Sequence, residues 1–204
     1  MPTASTKMDL RRKRSVETRK QLIQSTLNVI SRRGLAGTTL STVSEESGLA
    51  RSSVGFHFKS KDQMLTAALE SLLQQYRKGW LNINEHEQLS AAQKLEAIVE
   101  WELGNVACTR KNVAVWFAFW GEVTTRSIYK KLVSKSDTEY HRTMKSLFMQ
   151  LENDDVKAET LTLGLSSMIV GLWMDYHIGS YGFKRSLAIQ TCLNYLHAEM
   201  PEHF

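Results

Sequence analysis

A chain of 204 residues that is 42% hydrophobic can bury a substantial core, and two prolines with eleven glycines are too few for the many turns of a multi-stranded β protein. Two widely separated cysteines, Cys108 and Cys192, argue against a disulfide framework or a cysteine metal site, and no apolar run reaches the ~18 residues of a membrane span. The net charge of +5 is uneven: residues 1–61 hold twelve Lys/Arg and four Asp/Glu, whereas residues 62–204 hold fourteen and seventeen, so a basic front end is joined to a mildly acidic body.

The pattern predicts an all-α fold of about nine helices, and no segment alternates like a strand over any length. Residues 1–14 lack periodicity and end in Arg11-Arg12-Lys13-Arg14, which reads as a mobile basic arm, either a plain tail or one that tracks a phosphate backbone. A first helix is expected after Ser15, with Leu22, Ile23, Leu27 and Ile30 at helical spacing, and its end is expected near Gly34. Thr38-Thr39 cap a short second helix, LSTVSEES, that stops at Gly48, and a third covers about 50 to 56. Two capping boxes, Ser60 to Gln63 and Ser90 to Gln93, open a fourth helix to about 84 and a fifth to about 107. The sixth is expected over about 111 to 123, the seventh over 126 to 152, the eighth over 155 to 179 and the ninth over 184 to 198.

Two short helices joined by Ser47-Gly48-Leu49 make a helix-turn-helix, whose second helix can enter the major groove of DNA. Val43, Leu49, Val54 and Phe58 would hold it against the first helix. That leaves Arg51 for a guanine edge, Ser52 and Ser53 for bases or phosphates, and His57, Lys59, Lys61 and Thr39 for phosphates. His57 also fits a core position, and Arg51 a solvated one.

TTLSTVSEESGLARSSVGFHFKSKDQML, residues 38–65, resembles the DNA-binding region of TetR-family transcriptional repressors. The likeness rests on the paired threonines, the hydrophobe at 43, Gly48, the Phe56-His57-Phe58 triplet, Lys61 and Leu65. Three positions depart from the family pattern: Ser44 and Ser47 replace alanines at a mild polar cost, and Gly55 replaces a larger side chain. The resemblance implies a homodimer that reads a palindromic operator in double-stranded DNA, with a DNA-binding domain at 1–61 and a ligand-binding and dimerisation domain at 62–204. It also implies that the last two long helices pair across a two-fold axis. Leu161, Leu165, Met168, Leu172, Ile189, Leu193 and Leu196 are the candidates for that interface, the alternative being that they pack only within the subunit.

The body carries AVWFAFWGEV, residues 114–123, which places Trp116 and Trp120 on one arc of a helix and Ala114, Ala118 and Gly121 on a small-residue face. Such aromatics read as core or as the wall of a pocket. Carboxylates near several indoles favour a pocket for a cation, because buried acids need partners and aromatic faces attract quaternary ammonium groups. The cage candidates are Trp101, Trp116, Trp120, Trp173 and Tyr176, with Glu102, Asn105, Glu122 or Asp175 as polar partners, although the acids can instead pair with Arg110, Arg126 or solvent. LEAIVEWELGN, VWFAFWGEV and MIVGLWMDY are similar to the choline-responsive BetI branch of the family, which implies choline or a related quaternary ammonium effector and control of glycine-betaine synthesis.

The expected function is therefore a cytoplasmic, ligand-responsive repressor without metal, cofactor or membrane partner. Alternatives are a TetR-like repressor sensing another apolar or cationic molecule, a small helical enzyme, or a helical interaction module. The enzyme reading has little to stand on, because no G-x-S-x-G, metal spacing or phosphate loop occurs.

Overall fold

The computed structural model describes residues 4–179 and 182–204, with side chains from residue 9 onward. Among the described residues nine helices follow one another without a strand: α1 (Ala4–Arg33), α2 (Leu40–Ser47), α3 (Arg51–His57), α4 (Lys61–Asn84), α5 (Ala91–Leu103), α6 (Arg110–Trp120), α7 (Ser127–Leu151), α8 (Asp155–Ile178) and α9 (Arg185–Glu199). None is long and apolar enough to cross a membrane.

The basic arm is a correction to the sequence reading. α1 begins at Ala4 rather than after Ser15, so Arg11 to Arg14 lie on a continuous helix, exposed. Lysine, arginine, leucine and methionine are good helix formers, and no glycine or proline interrupts the stretch. Residues 1–3 of the arm lie outside the described residues.

The head has its own core. Leu22 and Val29 of α1, Val43 of α2, Val54 of α3, Phe58, and Met64 and Ala67 of α4 bury one another, with Leu49 packed at the edge. Thr39 caps α2 by accepting from the Thr42 amide at 3.1 Å, while the Thr42 hydroxyl accepts from the Thr39 amide at 2.9 Å. Gly48 ends α2 in the left-handed region, at φ 69°. Gly48→Ala is expected to lower unfolding stability by about 1 kcal/mol in urea denaturation, because a Cβ strains that conformation. The serines carry less cost than expected. Ser44 donates to the Leu49 carbonyl at 2.6 Å, and Ser47 accepts from the Leu49 amide at 3.3 Å, so both tie the turn together.

Ser60 caps α4 by accepting from the Gln63 amide, and the Gln63 side chain accepts from Lys59 rather than Ser60. α4 then runs unbroken out of the head core into the body core, where α5 and α7 pack against it, α8 packs on α5, α6 and α7, and α9 on α5 and α8. Two helices stop earlier than the periodicity suggested. α5 ends at Leu103 because Gly104 turns extended (φ -72°, ψ 175°), and α6 ends at Trp120, where Gly121 begins a run of turns. α6 also lies along α1, which connects the body directly to the head.

The seven interface candidates divide by burial. Leu161, Leu165 and Leu196 fill the chain's own core, and Met168, Leu172, Ile189 and Leu193 pack half-buried against it. The apolar residues that α8 does expose are Val156, Leu163, Val170, Met174 and Ile178, with Leu187 on α9. Val156, Leu163 and Val170 recur every seven residues, the spacing of a seam along one helix face.

Candidate functional site

The body holds a partly open cavity of about 230 Å³ between α4, α5, α6, α7 and α8, with the exposed Leu163 and Val170 of α8 at its rim. α6 supplies Trp116 and Trp120, four residues apart and hence on one face, with ring centroids 5.5 Å apart. Trp173 of α8 lies 6.4 Å from each of them. Tyr76 of α4 closes the box, 5.4 Å from Trp116 and 6.1 Å from Trp173. Together these rings present a set of aromatic faces and edges to one small space.

Glu102 of α5 stands against this box, only 1% exposed. The Tyr76 hydroxyl donates to its Oε1 at 2.5 Å, and the Trp173 indole donates to its backbone carbonyl at 3.0 Å. Burial raises the Glu102 pKa from 4.5 to about 7, with the phenols of Tyr76 and Tyr140 pulling the other way. No lysine or arginine lines the cavity. A carboxylate held in apolar walls with no cationic partner is costly when ionised, and a ligand cation relieves that cost.

α7 lines the remaining side with Asp137, Tyr140 and His141. The Tyr140 hydroxyl is buried near the Glu102 carboxylate and the Tyr76 phenol, yet it makes no hydrogen bond of ordinary length and angle to either, which leaves its proton poorly satisfied. Asp137 is solvent-exposed at the rim of the cavity, and the partial burial of its carboxyl raises its pKa above the usual aspartate value. His141 contacts Glu159 at 2.9 Å.

A larger groove, about 860 Å³, opens between α4 and α7. It faces solvent, and its Arg77 and Glu139 are already paired with each other, which leaves less for a ligand to satisfy. The smaller, less open cavity is the stronger candidate because it combines an aromatic wall with a buried acid that has no cationic partner.

Four of the nine residues proposed for ligand binding from the sequence, Glu102, Trp116, Trp120 and Trp173, meet at this cavity. The other five lie elsewhere. Trp101 is one residue from Glu102, so its side chain leaves α5 about 100° away and rests on α4 beside Gly79. Asn105 is exposed in the loop after α5. Glu122 sits in the turns after α6 and pairs with Arg126 at 3.1 Å. Asp175 is exposed, on the opposite side of α8 from Trp173, and Tyr176 packs on Phe183 at 5.1 Å. Tyr76 and Tyr140 were missed, and the faint signal for them was a tyrosine on each of the two helices that flank the tryptophan-bearing ones.

The head presents a second surface. Arg51 and Ser52 are exposed at the start of α3, Ser53 and His57 are half-buried, and Lys59 and Thr39 are exposed beside them. Burial, and then the Arg19 charge, lowers the His57 pKa, which favours a neutral imidazole. Lys61 donates to the Ala36 carbonyl at 2.9 Å, so its ammonium is partly engaged within the head. A Cβ at Gly55 would meet nothing within 4 Å, so that position faces open space. Phe56 is 69% exposed on the same short helix, with the Lys59 ammonium 5.8 Å from its ring centre. Between the two surfaces, Arg126 at the start of α7 reaches Asp62 in the first turn of α4 at 3.0 Å as well as Glu122.

A helix-turn-helix with its outward face free, carried by a helical body that holds an aromatic cage, defines a DNA-binding regulator with a place for a small effector. Comparison with known proteins agrees. Residues 22–68 match the model described as bacterial regulatory proteins, tetR family, and residues 91–201 match that of the BetI-type transcriptional repressor, C-terminal. The chain belongs to the TetR family of transcriptional repressors, with a BetI-type C-terminal domain. The HTH-type transcriptional regulator BetI of Escherichia coli is 25% identical over 196 residues, which cover 90% of this chain and 94% of that protein. BetI of Klebsiella pneumoniae is 24% identical over 186 residues, with the same shares covered. A regulator from Saccharomonospora viridis, solved in complex with choline, superposes with a TM-score of 0.79 at 21% identity, over 89% of this chain and 96% of that one. One from Pseudomonas aeruginosa gives 0.78 at 22%, over 91% of each. The family and these relatives are regulators of transcription, not enzymes.

Proposed function

We propose that this repressor senses a small quaternary ammonium ion, choline or a close relative, and controls genes of choline and glycine-betaine metabolism. The observation that carries the reading is the box of Tyr76, Trp116, Trp120 and Trp173 beside buried Glu102, with no cationic side chain facing it. Cation–π attraction and one buried carboxylate are what an onium ion needs once it gives up its water. A cavity of about 230 Å³ suits a small ligand, below the ~300–1,000 Å³ usual for drug-sized ones. The BetI relatives and the choline complex of the Saccharomonospora viridis neighbour support the same effector class. Calorimetry with choline, betaine aldehyde and glycine betaine tests it, repeated on Trp116→Ala and Trp173→Ala. No heat of binding from any of the three sinks the choline reading and leaves the repressor intact.

On the DNA side, α3 enters the major groove of a palindromic operator. Arg51 reads a base edge, while Thr39, Ser52, Ser53, His57, Lys59 and Lys61 lie toward the backbone. Arg51→Ala is expected to weaken operator binding by about 1–3 kcal/mol while leaving binding to random DNA almost unchanged at matched salt, measured by fluorescence anisotropy. An equal loss on both DNAs would make Arg51 a phosphate contact instead. A palindrome needs a two-fold protein, and the exposed Val156, Leu163, Val170, Met174 and Ile178 face of α8, with Leu187, is the surface for a second copy. The compartment that fits such a regulator is the cytoplasm. Effector binding shifts the dimer between DNA-competent and DNA-incompetent populations. Trp120 sits at the end of α6, and the turns after it lead to the Glu122–Arg126–Asp62 cluster on α4, which offers a route from cage to head.

A further inference from the structure

We propose that α7 is the selectivity element of the cage: Tyr140 donates a hydrogen bond to an uncharged oxygen on the ligand's far end, and Asp137 excludes ligands whose far end is a carboxylate. This rests on the onium reading above and specifies the second half of the ligand.

The aromatic box and Glu102 satisfy only a positive charge. Three walls of the cavity bring rings from α4, α6 and α8, and α5 brings the acid. The polar atoms on the remaining side come mostly from α7, where Asp137, Tyr140 and His141 occupy a single turn, with Ser166 of α8 beside them. Among these, Tyr140 has the clearest vacancy. Its ring is fixed, 5.9 Å from the Tyr76 ring and 5.7 Å from the Trp80 ring, and its buried hydroxyl makes no well-formed hydrogen bond. Burial first, then the nearby Glu102 charge, keeps this phenol protonated, so it offers a proton and not an anion. Its partner Tyr76 differs, because the Tyr76 hydroxyl is already committed to Glu102. The geometry therefore separates two tyrosines near Glu102 into one that is bonded to it and one that stands beside it without a well-formed bond, able to turn its proton to a ligand oxygen.

The sign of the charge at this end follows from what α7 carries. Asp137 stands exposed at the cavity rim and makes no ion pair among the described residues, and His141 is turned to Glu159. A ligand carboxylate placed here would meet Asp137 and have no lysine or arginine to answer it. An alcohol or carbonyl oxygen meets no such repulsion and finds the Tyr140 hydroxyl. The ligand class is thus an onium ion with a neutral oxygen a short chain away, and a zwitterion of the same size is disfavoured.

The test uses three probes on the purified full-length protein: tetramethylammonium, which has no oxygen, choline, which has a hydroxyl, and glycine betaine, which has a carboxylate. Tyr140→Phe is expected to weaken choline binding about tenfold and leave tetramethylammonium within about twofold, since one hydrogen bond is lost and the ring remains. Tetramethylammonium also reports that the variant is folded. Asp137→Asn is expected to narrow the choline-to-glycine-betaine affinity ratio about tenfold. The proposal is overturned if Tyr140→Phe weakens choline and tetramethylammonium equally, which would make Tyr140 a support for Glu102. It is overturned too if choline is unaffected, or if Asp137→Asn leaves the ratio unchanged. Wild-type protein that binds none of the three probes removes the onium reading itself, a result distinct from wild-type binding without α7 selectivity.

Discussion

Glu102→Gln is expected to weaken choline binding at pH 8 by roughly a hundredfold, as removing one partner of a buried charge pair costs about 2–5 kcal/mol. The same variant should lose the pH dependence that the wild-type protein shows. With the Glu102 pKa at about 7, most of the carboxyl is protonated at pH 6 and must lose its proton before it can answer a cation, so wild-type affinity is expected to be about tenfold weaker at pH 6 than at pH 8. Stability without ligand runs the opposite way. The folded pKa is raised above the unfolded value of 4.5, so between those values the folded chain holds a proton that the unfolded chain has released. That contribution is complete below 4.5 and is lost as pH rises through about 7, a loss of about 3 kcal/mol from this group. Thermal melts from pH 5 to 8 should therefore show the unliganded protein weakening, saturating choline offsetting the loss at high pH, and Glu102→Gln flattening the trend. Asp137, the other acid at the cavity, is also held high by burial, and it is still present in the variant. A trend that persists undiminished in Glu102→Gln would move the titration to Asp137 and take the central role away from Glu102.

The head was more legible in the sequence than the cage, and the reason is range. Thr39, Gly48, Ser60 and Ser90 act on atoms within a few residues of themselves, so capping chemistry and a left-handed glycine can be read from a short window. The indoles of α6 were legible for the same reason, since residues 116 and 120 must share a face. Which other helices meet that face is decided by tertiary packing. In its own helix Tyr76 is one more apolar position of α4, and Tyr140 stands among the lysines and other polar residues of α7. The misplaced candidates follow from local stops and rotations: Gly104 and Gly121 end their helices before Asn105 and Glu122, and neighbouring residues on one helix, such as Trp101 and Glu102, point into different spaces. The basic arm goes the other way: with no buried face it shows no apolar periodicity, yet its residues are individually good helix formers.

Gly79 is a position where sequence rules alone point the wrong way, and its substitution separates the two arguments. Glycine inside α4 costs about 1 kcal/mol in helix propensity relative to alanine, so Gly79→Ala is expected from propensity to stabilise the protein. The indole of Trp101 lies against this glycine, and a Cβ there would stand 1.9 Å from its Cζ2, 2.4 Å from Cε2 and 2.7 Å from Cη2. These are ring atoms of a half-buried side chain packed against the body core, and the whole indole must move to make room. Such overpacking costs about 1–3 kcal/mol, occasionally more, which exceeds the propensity gain. Gly79→Ala is therefore expected to be destabilising, by up to about 2 kcal/mol net of the propensity gain. Ligand affinity should fall as well, because Trp101 sits 5.4 Å from the Tyr76 ring, and Tyr76 is both a wall of the cage and the donor to Glu102. Trp101→Leu in the same chain should recover part of the loss, giving a favourable coupling above about 0.5 kcal/mol in a double-mutant cycle by urea denaturation. If Gly79→Ala instead stabilises the protein and leaves choline binding intact, the close packing of α4 on Trp101 is not what holds Tyr76 in the cage, and the propensity argument wins.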